Sequence, residues 1–493
     1  MRRSAAVWTA LLTSLACATN PVTGREEIVL MSPSREAAVG REAAAQVAQE
    51  MGLVEDPALL AYVRQVGARV AAHSPRKDVT FQFAIANMAE TNAFALPGGY
   101  IYVSRGLLAL ARSEDELANV LAHEVGHVAA RHAAQRETRA MGVGLPALLG
   151  TLAAGAVGGQ GAASAASQLG QVAGAGLIAS YGRDQERQAD EVGQRMAKAA
   201  GYDPGGMATF LSALDSEVTL RLGKPRRPTF LDSHPATPER VASAGARAKT
   251  LGSSGALAPP AARSAFVARL EGILVEEDPA EGVVRENAFL HPDLDLRLVF
   301  PEGWAVQNGK QAVGAQDPKG AALIVLLGQE RGDDPRAAAE TFLRKNAQSL
   351  ELLEHGAFSG AGAPGHRVRA RVALSQGTAG AELFWFAHRG SIYRLQCLAG
   401  EPSFAAFLPG FERSAKSFRS LTREERASIR ERRLHVVSPK GSDSLSGLAS
   451  RSGNVWRLEL VALANGLEAN AGPAPGQRIK LAVERPYVAR QKE

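Results

Sequence analysis

A chain of 493 residues, 45% of them hydrophobic, is long and apolar enough for two or three buried cores, which excludes a disordered or fibrous protein. Its net charge of +6 comes from basic residues scattered along the chain. With no nucleic-acid motif beside them, nucleic acid is excluded as a partner, and a basic surface compatible with anionic lipid or cell-wall polymer is left.

Arg2 and Arg3 precede a short apolar run, Ala5 to Ala16, that ends at Cys17. That is the pattern of a signal peptide over 1–16, too short for a stable bilayer span. Leu15 and Ala16 before Cys17 resemble a lipobox, although Ser14 stands where Leu is preferred. The resemblance implies a lipid on Cys17, residues 17–33 as a tether, and a periplasmic-side envelope protein anchored to the outer membrane. Cys397 is the other cysteine, so acylation of Cys17 leaves no disulfide and stability must come from core burial and metal.

Ser34 to Met51 and Asp56 to His73 repeat with helical period, the second opening on an Asp56 cap and a first-turn Pro57. Val79 to Ala86 and Tyr100 to Ser104 read as strands joined through Asn92-Ala93-Phe94-Ala95-Leu96-Pro97-Gly98-Gly99. Two readings of that sheet stay open: a plain hairpin loop, or a last strand that is an edge able to hold an extended peptide by strand addition.

Ser113 with Glu116 three residues on predicts a capping box at the start of the next helix, and Leu117, Val120, Leu121 and Val128 give it an apolar face. The helix carries His123-Glu124-Val125-Gly126-His127. At roughly 100° per residue the two histidines lie about 40° apart, so both imidazoles can reach one metal ion, with Glu124 beside them to take a proton from a polarised water. These residue types at this spacing propose a metallohydrolase. His132, nine positions after His123, falls roughly 180° round the same helix and is expected on the surface or behind the ligands.

A two-histidine zinc site needs a third ligand. Glu186 and Asp190 share one face of the next charged helix, with Ala189 between them allowing close approach. By spacing alone this is either a ligand helix or a solvated acidic face. The HEVGH run, the Glu186 to Asp190 stretch, the Asn92 to Gly99 approach and Ser233-His234-Pro235-Ala236-Thr237-Pro238-Glu239-Arg240 together resemble zinc metallopeptidases of the BepA and HtpX type, relatives of the CAAX prenyl endopeptidases, over about Asn20 to Leu251. The resemblance implies a gluzincin fold and endopeptidase activity with one Zn²⁺ held by His123, His127 and Glu186. It makes Glu124 the general base and Asp190 the acceptor for a ligand histidine. His234 and Arg240 come near the metal, to stabilise an oxyanion or to occlude the fourth position, unless Thr237-Pro238-Glu239 only starts a helix.

Ala140 to Gly182 carries no charge, but glycines and Pro146 interrupt it, so a lid or groove wall is expected rather than a membrane hairpin. Residues 251–263 read as a linker closing a peptidase domain over 34–250. Beyond it, strands at Leu296 to Pro301, Ala321 to Leu327, Arg367 to Leu374, Ala381 to Phe386 and Ile392 to Leu398, with helices at Pro335 to Leu350 and Phe404 to Phe418, give an α+β sandwich-like domain over 264–421, faintly similar to PsbP. A charged hinge spans 422–435, and 436–485 resembles a LysM module of βααβ type, whose usual Gly-Asp pair is split by Ser442. It implies peptidoglycan binding or plain packing. The fold class expected is α+β throughout: a mainly helical gluzincin domain with a small sheet, the sandwich-like domain and the LysM-like module. The expected function is envelope protein quality control, with a chaperone-like or peptidoglycan-binding scaffold as the alternative.

Overall fold

The computed structural model describes residues 17–138, 181–221, 230, 234, 237–359, 362, 364–374, 377–441 and 443–490. Two compact units divide the chain, and the first, the body, draws on Met1–Pro146, Leu177–Glu276 and Arg432–Arg485. The second takes Glu277–Glu431 and Pro486–Glu493.

The body begins with a hairpin, β1 (Cys17–Thr19) against β2 (Glu26–Ile28). Asn20 Oδ1 accepts from the Val22 and Thr23 amides, so the polar stretch expected to run as a tether forms a tight turn instead. Helix α1 (Pro33–Glu50) follows, then α2 (Pro57–Ala71), whose Asp56 cap accepts from Ala58 and Leu59 amides at 3.0 Å.

Strands β3 (Gln82–Ala86), β4 (Ala93–Leu96) and β5 (Tyr100–Ser104) pair in the order β3-β5-β4. Tyr100–Ser104 is therefore the central strand, so of the two readings left open for it, the one that makes it an edge does not hold. The outer strands are β3 and β4, and β4 is hidden in the stretch that reads as a connection. Short alternating runs such as Ala93-Phe94-Ala95-Leu96 lie below the length at which periodicity speaks.

Helix α3 (Arg105–Leu110), capped by Ser104, is buried along its whole length and leads into α4 (Glu114–Ala129), the HEVGH helix. Ser113 Oγ accepts from the Glu116 amide as expected. Glu116 does not complete the box: its carboxylate turns to the Arg112 amide at 2.7 Å and to the Arg112 guanidinium. Arg131 then takes φ 59°, the left-handed region, and helical residues restart at 132. His132 is thus not on the HEVGH helix at all. Helix α5 (Arg183–Ala199) packs directly on α4, where a methyl on Gly193 would meet the His123 nitrogen at 3.0 Å and one on Gly126 the Ala189 oxygen at 3.0 Å. Helices α6 (Gly206–Arg221), α7 (Pro238–Thr250) and α8 (Pro260–Ala268) complete this part. Nearly all of the expected lid, and the expected signal peptide, lie outside the described residues. Among the described residues no helix is long and apolar enough to cross a membrane.

In the second unit β6 (Val283–Arg285), β7 (Ala288–His291) and β8 (Leu296–Val299) form one small sheet. The larger sheet contains β9 (Ala305–Asn308), β10 (Ala312–Gln316), β11 (Ala322–Arg331), β12 (Leu350–Ser359), β13 (Pro364–Leu374), β14 (Gly377–His388) and β15 (Ser391–Gly400), in the order β12-β13-β14-β15-β11-β10-β9. Alternation along β14 sends Leu383 and Trp385 under α9 (Pro335–Lys345), and Phe384 and Phe386 toward α10 (Glu401–Lys416). The larger antiparallel sheet, with a helix on each face, and the small sheet together make up the α+β arrangement of this unit. The short helix α11 (Arg423–Ser428) ends the run.

Strand β16 (Arg430–Val437), α12 (Leu445–Arg451), α13 (Leu458–Asn465) and β17 (Ile479–Pro486) keep the expected βααβ order, with β16 paired to β17. They belong to the body. Leu434 exchanges backbone bonds with Gly272 and Ile273, and Leu434 and Ala482 join the core of Val66, Leu108 and Leu117. Lys480 is fully buried, and its Nζ donates to the Ala109 and Ala111 carbonyls at 2.6 Å each, just upstream of the Ser113 cap. Glu277–Glu431 is consequently an insertion in a body that closes only with β17.

Candidate active site

Helices α4 and α5 bring the sequence-predicted residues together. His123 Nε2 and His127 Nε2 are 2.9 Å apart, and Glu186 Oε1 lies 3.3 Å from His127 Nε2 while its Oε2 lies 3.6 Å from His123 Nε2. His234 Nδ1 joins them, 3.2 Å from His123 Nε2 and 2.9 Å from Glu186 Oε1. Ligands bound tetrahedrally at about 2.0–2.1 Å stand roughly 3.3 Å from one another, and the separations just given, from 2.9 to 3.6 Å, bracket that value. All four are buried and could hold such an ion.

The carboxylates divide by environment. Asp190 Oδ1 accepts from His123 Nδ1 at 2.9 Å, and the same carboxylate takes two bonds from Arg240, from Nε at 2.6 Å and Nη2 at 2.8 Å. Burial opposes its ionisation, but the Arg240 bonds outweigh it and bring the pKa down to about 2. Arg240 Nη1 also reaches Glu186 Oε2 at 2.6 Å. Burial likewise pushes Glu186 up, yet His234 and His127 together hold it well below the usual carboxylate range. Glu124 is the exception: fully buried, with neither carboxylate oxygen hydrogen-bonded among the described residues, and with its pKa raised by burial. His234 Nε2 lies 3.6 Å from Glu124 Oε1. A buried carboxylate beside four donors that could hold a metal ion is placed to take a proton from a water polarised by such an ion.

Rings pack the site. Tyr181 stacks on His127 with centroids 3.9 Å apart, and Phe230 stacks on His234 at 4.4 Å. Sequence reasoning missed both, since isolated aromatics carry no spacing signal. Of the two places expected for His132, the surface or behind the ligands, it takes the second: it is buried, with Nδ1 2.8 Å from His127 Nδ1. Of the other histidines, His355 and His366 face each other across β12 and β13 at 3.4 Å, and His388 meets the Asp295 carbonyl.

Comparison with known proteins agrees with this geometry. Residues 57–248 match the profile of "Peptidase family M48". The β-barrel assembly-enhancing protease of Escherichia coli K12 is 30% identical over 238 residues, 47% of this chain and 48% of that one. The mitochondrial metalloendopeptidase OMA1 of Schizosaccharomyces pombe is 28% identical over 228 residues, 45% of this chain and 63% of its own. The chain thus spans about half the length of the first of these curated relatives. Among solved structures, CyanoP from Synechocystis sp. PCC 6803 aligns with 26% of this chain and 88% of its own at 15% identity and a TM-score of 0.22. The two helices that gather His123, His127 and Glu186 lie inside residues 57–248, the segment of the chain that is similar to peptidase family M48.

Proposed function

We propose that the body is a zinc-dependent endopeptidase of the cell envelope, acting on misfolded or stalled envelope proteins. The observation that carries this reading is the Glu124 carboxylate, buried without a hydrogen-bond partner among the described residues beside four converging ligand atoms. His123, His127 and Glu186 would hold Zn²⁺, which when bound would supply a Lewis acid for water and the scissile carbonyl. Glu124 takes the proton of the attacking water and passes it to the leaving amine, a task that its burial-raised basicity suits. Asp190 fixes the His123 ring, and Arg240, occupied by Asp190 and Glu186, acts as a positioning residue. The outer strand β4, which packs on α4, receives the substrate as an extended strand.

The name of the Escherichia coli relative supports an envelope setting. Lipidation of Cys17, the outer membrane as its address and peptidoglycan binding by the LysM-like 436–485 belong to the same proposal. Replacement of Cys17 by Ser is expected to release the chain from membranes. A second reading, a protease normally shut, is favoured by His234 Nδ1, which lies where a fourth ligand would sit. Casein cleavage and zinc content, measured together, test both. Glu124→Gln is expected to keep one zinc per chain and lose activity about 10²–10⁴-fold; cleavage retained by that variant overturns the mechanism. A strong gain of cleavage by His234→Ala favours the shut state, and a loss assigns His234 to transition-state stabilisation.

A further inference from the structure

His132 has no part in the reading above, yet it is buried against a ligand. Its Nδ1 lies 2.8 Å from His127 Nδ1, and its Nε2 lies 2.7 Å from Gln188 Oε1 on α5. An amide oxygen only accepts, so His132 Nε2 carries the hydrogen in this bond. A neutral His132 then presents a lone pair at Nδ1, and His127 must donate from its own Nδ1. That leaves the His127 Nε2 lone pair facing His123 Nε2 and Glu186. The direction of a bond to Gln188 is thereby transmitted through two rings to the atom that would hold the ion.

The backbone is bent to make this possible. Had α4 continued, His132 would face away from His127. The left-handed Arg131, at φ 59°, breaks the helix and returns the chain, and a non-glycine residue keeps that conformation only where its surroundings fix it. They do: Arg131 Nη2 donates to the Met31 carbonyl at 2.6 Å, and its Nε meets Glu36, which Arg76 also pairs at 3.2 Å, all of them buried.

We infer that His132 is a positioning residue for the metal, a neutral imidazole relay from Gln188 that fixes the tautomer and ring plane of His127, as the Asp190 carboxylate does for His123. The inference rests on the zinc reading of His127. It differs from the usual carboxylate support because the acceptor is uncharged and its polarity is set by a residue on the opposing helix.

Zinc affinity, measured on the full chain by competition with a chromophoric chelator, tests it without reference to proteolysis. His132→Phe keeps a ring and removes the acceptor, and is expected to weaken zinc binding 10- to 100-fold with the melting temperature still showing a folded chain. His132→Asn, whose amide oxygen can replace Nδ1, is expected to stay within about threefold of wild type. Gln188→Leu, at a half-buried site, is expected to lose threefold or more, and serves if His132→Phe fails to fold. Wild-type affinity in His132→Phe, or in Gln188→Leu where that variant serves, overturns the relay. So does an Asn variant as weak as the Phe one. Absence of zinc binding by the wild type would instead overturn the functional reading beneath it.

Discussion

The body and the inserted unit handle charge in opposite ways. In the inserted unit Arg367, Arg369 and Arg371 alternate along β13 and pair with Glu354, Glu382, Glu351 and Glu401 on neighbouring elements, with most of these side chains a quarter to three-fifths exposed. In the body Arg240, Asp190, Glu186, Glu124, Arg105 and Lys480 are all essentially buried. Solvated pairs are nearly neutral energetically, whereas a buried charge is tolerated only if its surroundings are built for it. The contrast says where the sequence spends stability on chemistry. It also locates Glu124, whose two carboxylate oxygens are both without a hydrogen bond among the described residues.

Substitutions on either side should separate the two regimes. Arg240→Met strands two buried carboxylates and is expected to destabilise the chain by about 3–5 kcal/mol, read by urea unfolding with a chelator present. A loss under 1 kcal/mol would mean that the pair contributes no more than a surface contact.

Lys480 should show itself through pH. Burial pushes its pKa down to about 7, against 10.5 when exposed. Between those values the unfolded chain binds the proton and the folded chain does not, so stability from this group rises with pH by ~1.4 kcal/mol per unit from about 7 to 10. Below 7 the folded body must hold a buried ammonium and the full penalty applies. Lys480→Met should flatten that slope in melting curves taken across this range, and an unchanged slope would refute the assignment.

The smallest effect belongs to the inserted sheet. Arg371→Ala, at a site 38% exposed, is expected to cost about 0–1 kcal/mol and to shrink further in high salt.

Much of the site was legible because helix spacing places side chains by simple rotation: His123 with His127, and Glu186 with Asp190, meet as their intervals require. The Asp56, Ser113 and Thr237 caps were legible for the same local reason. His132 was not, because a single left-handed residue cancels helical periodicity and nothing in Ala130-Arg131-His132 announces it. Strand β12 was missed since an edge strand exposed on both faces, Leu350 to Ser359, has no alternation to read. Lys480 reads as a solvent-facing residue between Ile479 and Leu481, and only the carbonyls of Ala109 and Ala111 explain its burial. The return of β16 and β17 to the body was invisible because long-range pairing leaves no local mark.

That return imposes an order on biosynthesis. The ribosome makes Glu277–Glu431 before β17 exists, so the inserted unit can fold while the body still lacks the strand that carries Lys480. The α3 end that leads into the metal helix is then secured last. The body therefore stays open through most of the chain's synthesis, and the Ala109 and Ala111 carbonyls meet their Lys480 donor only when the last strand arrives.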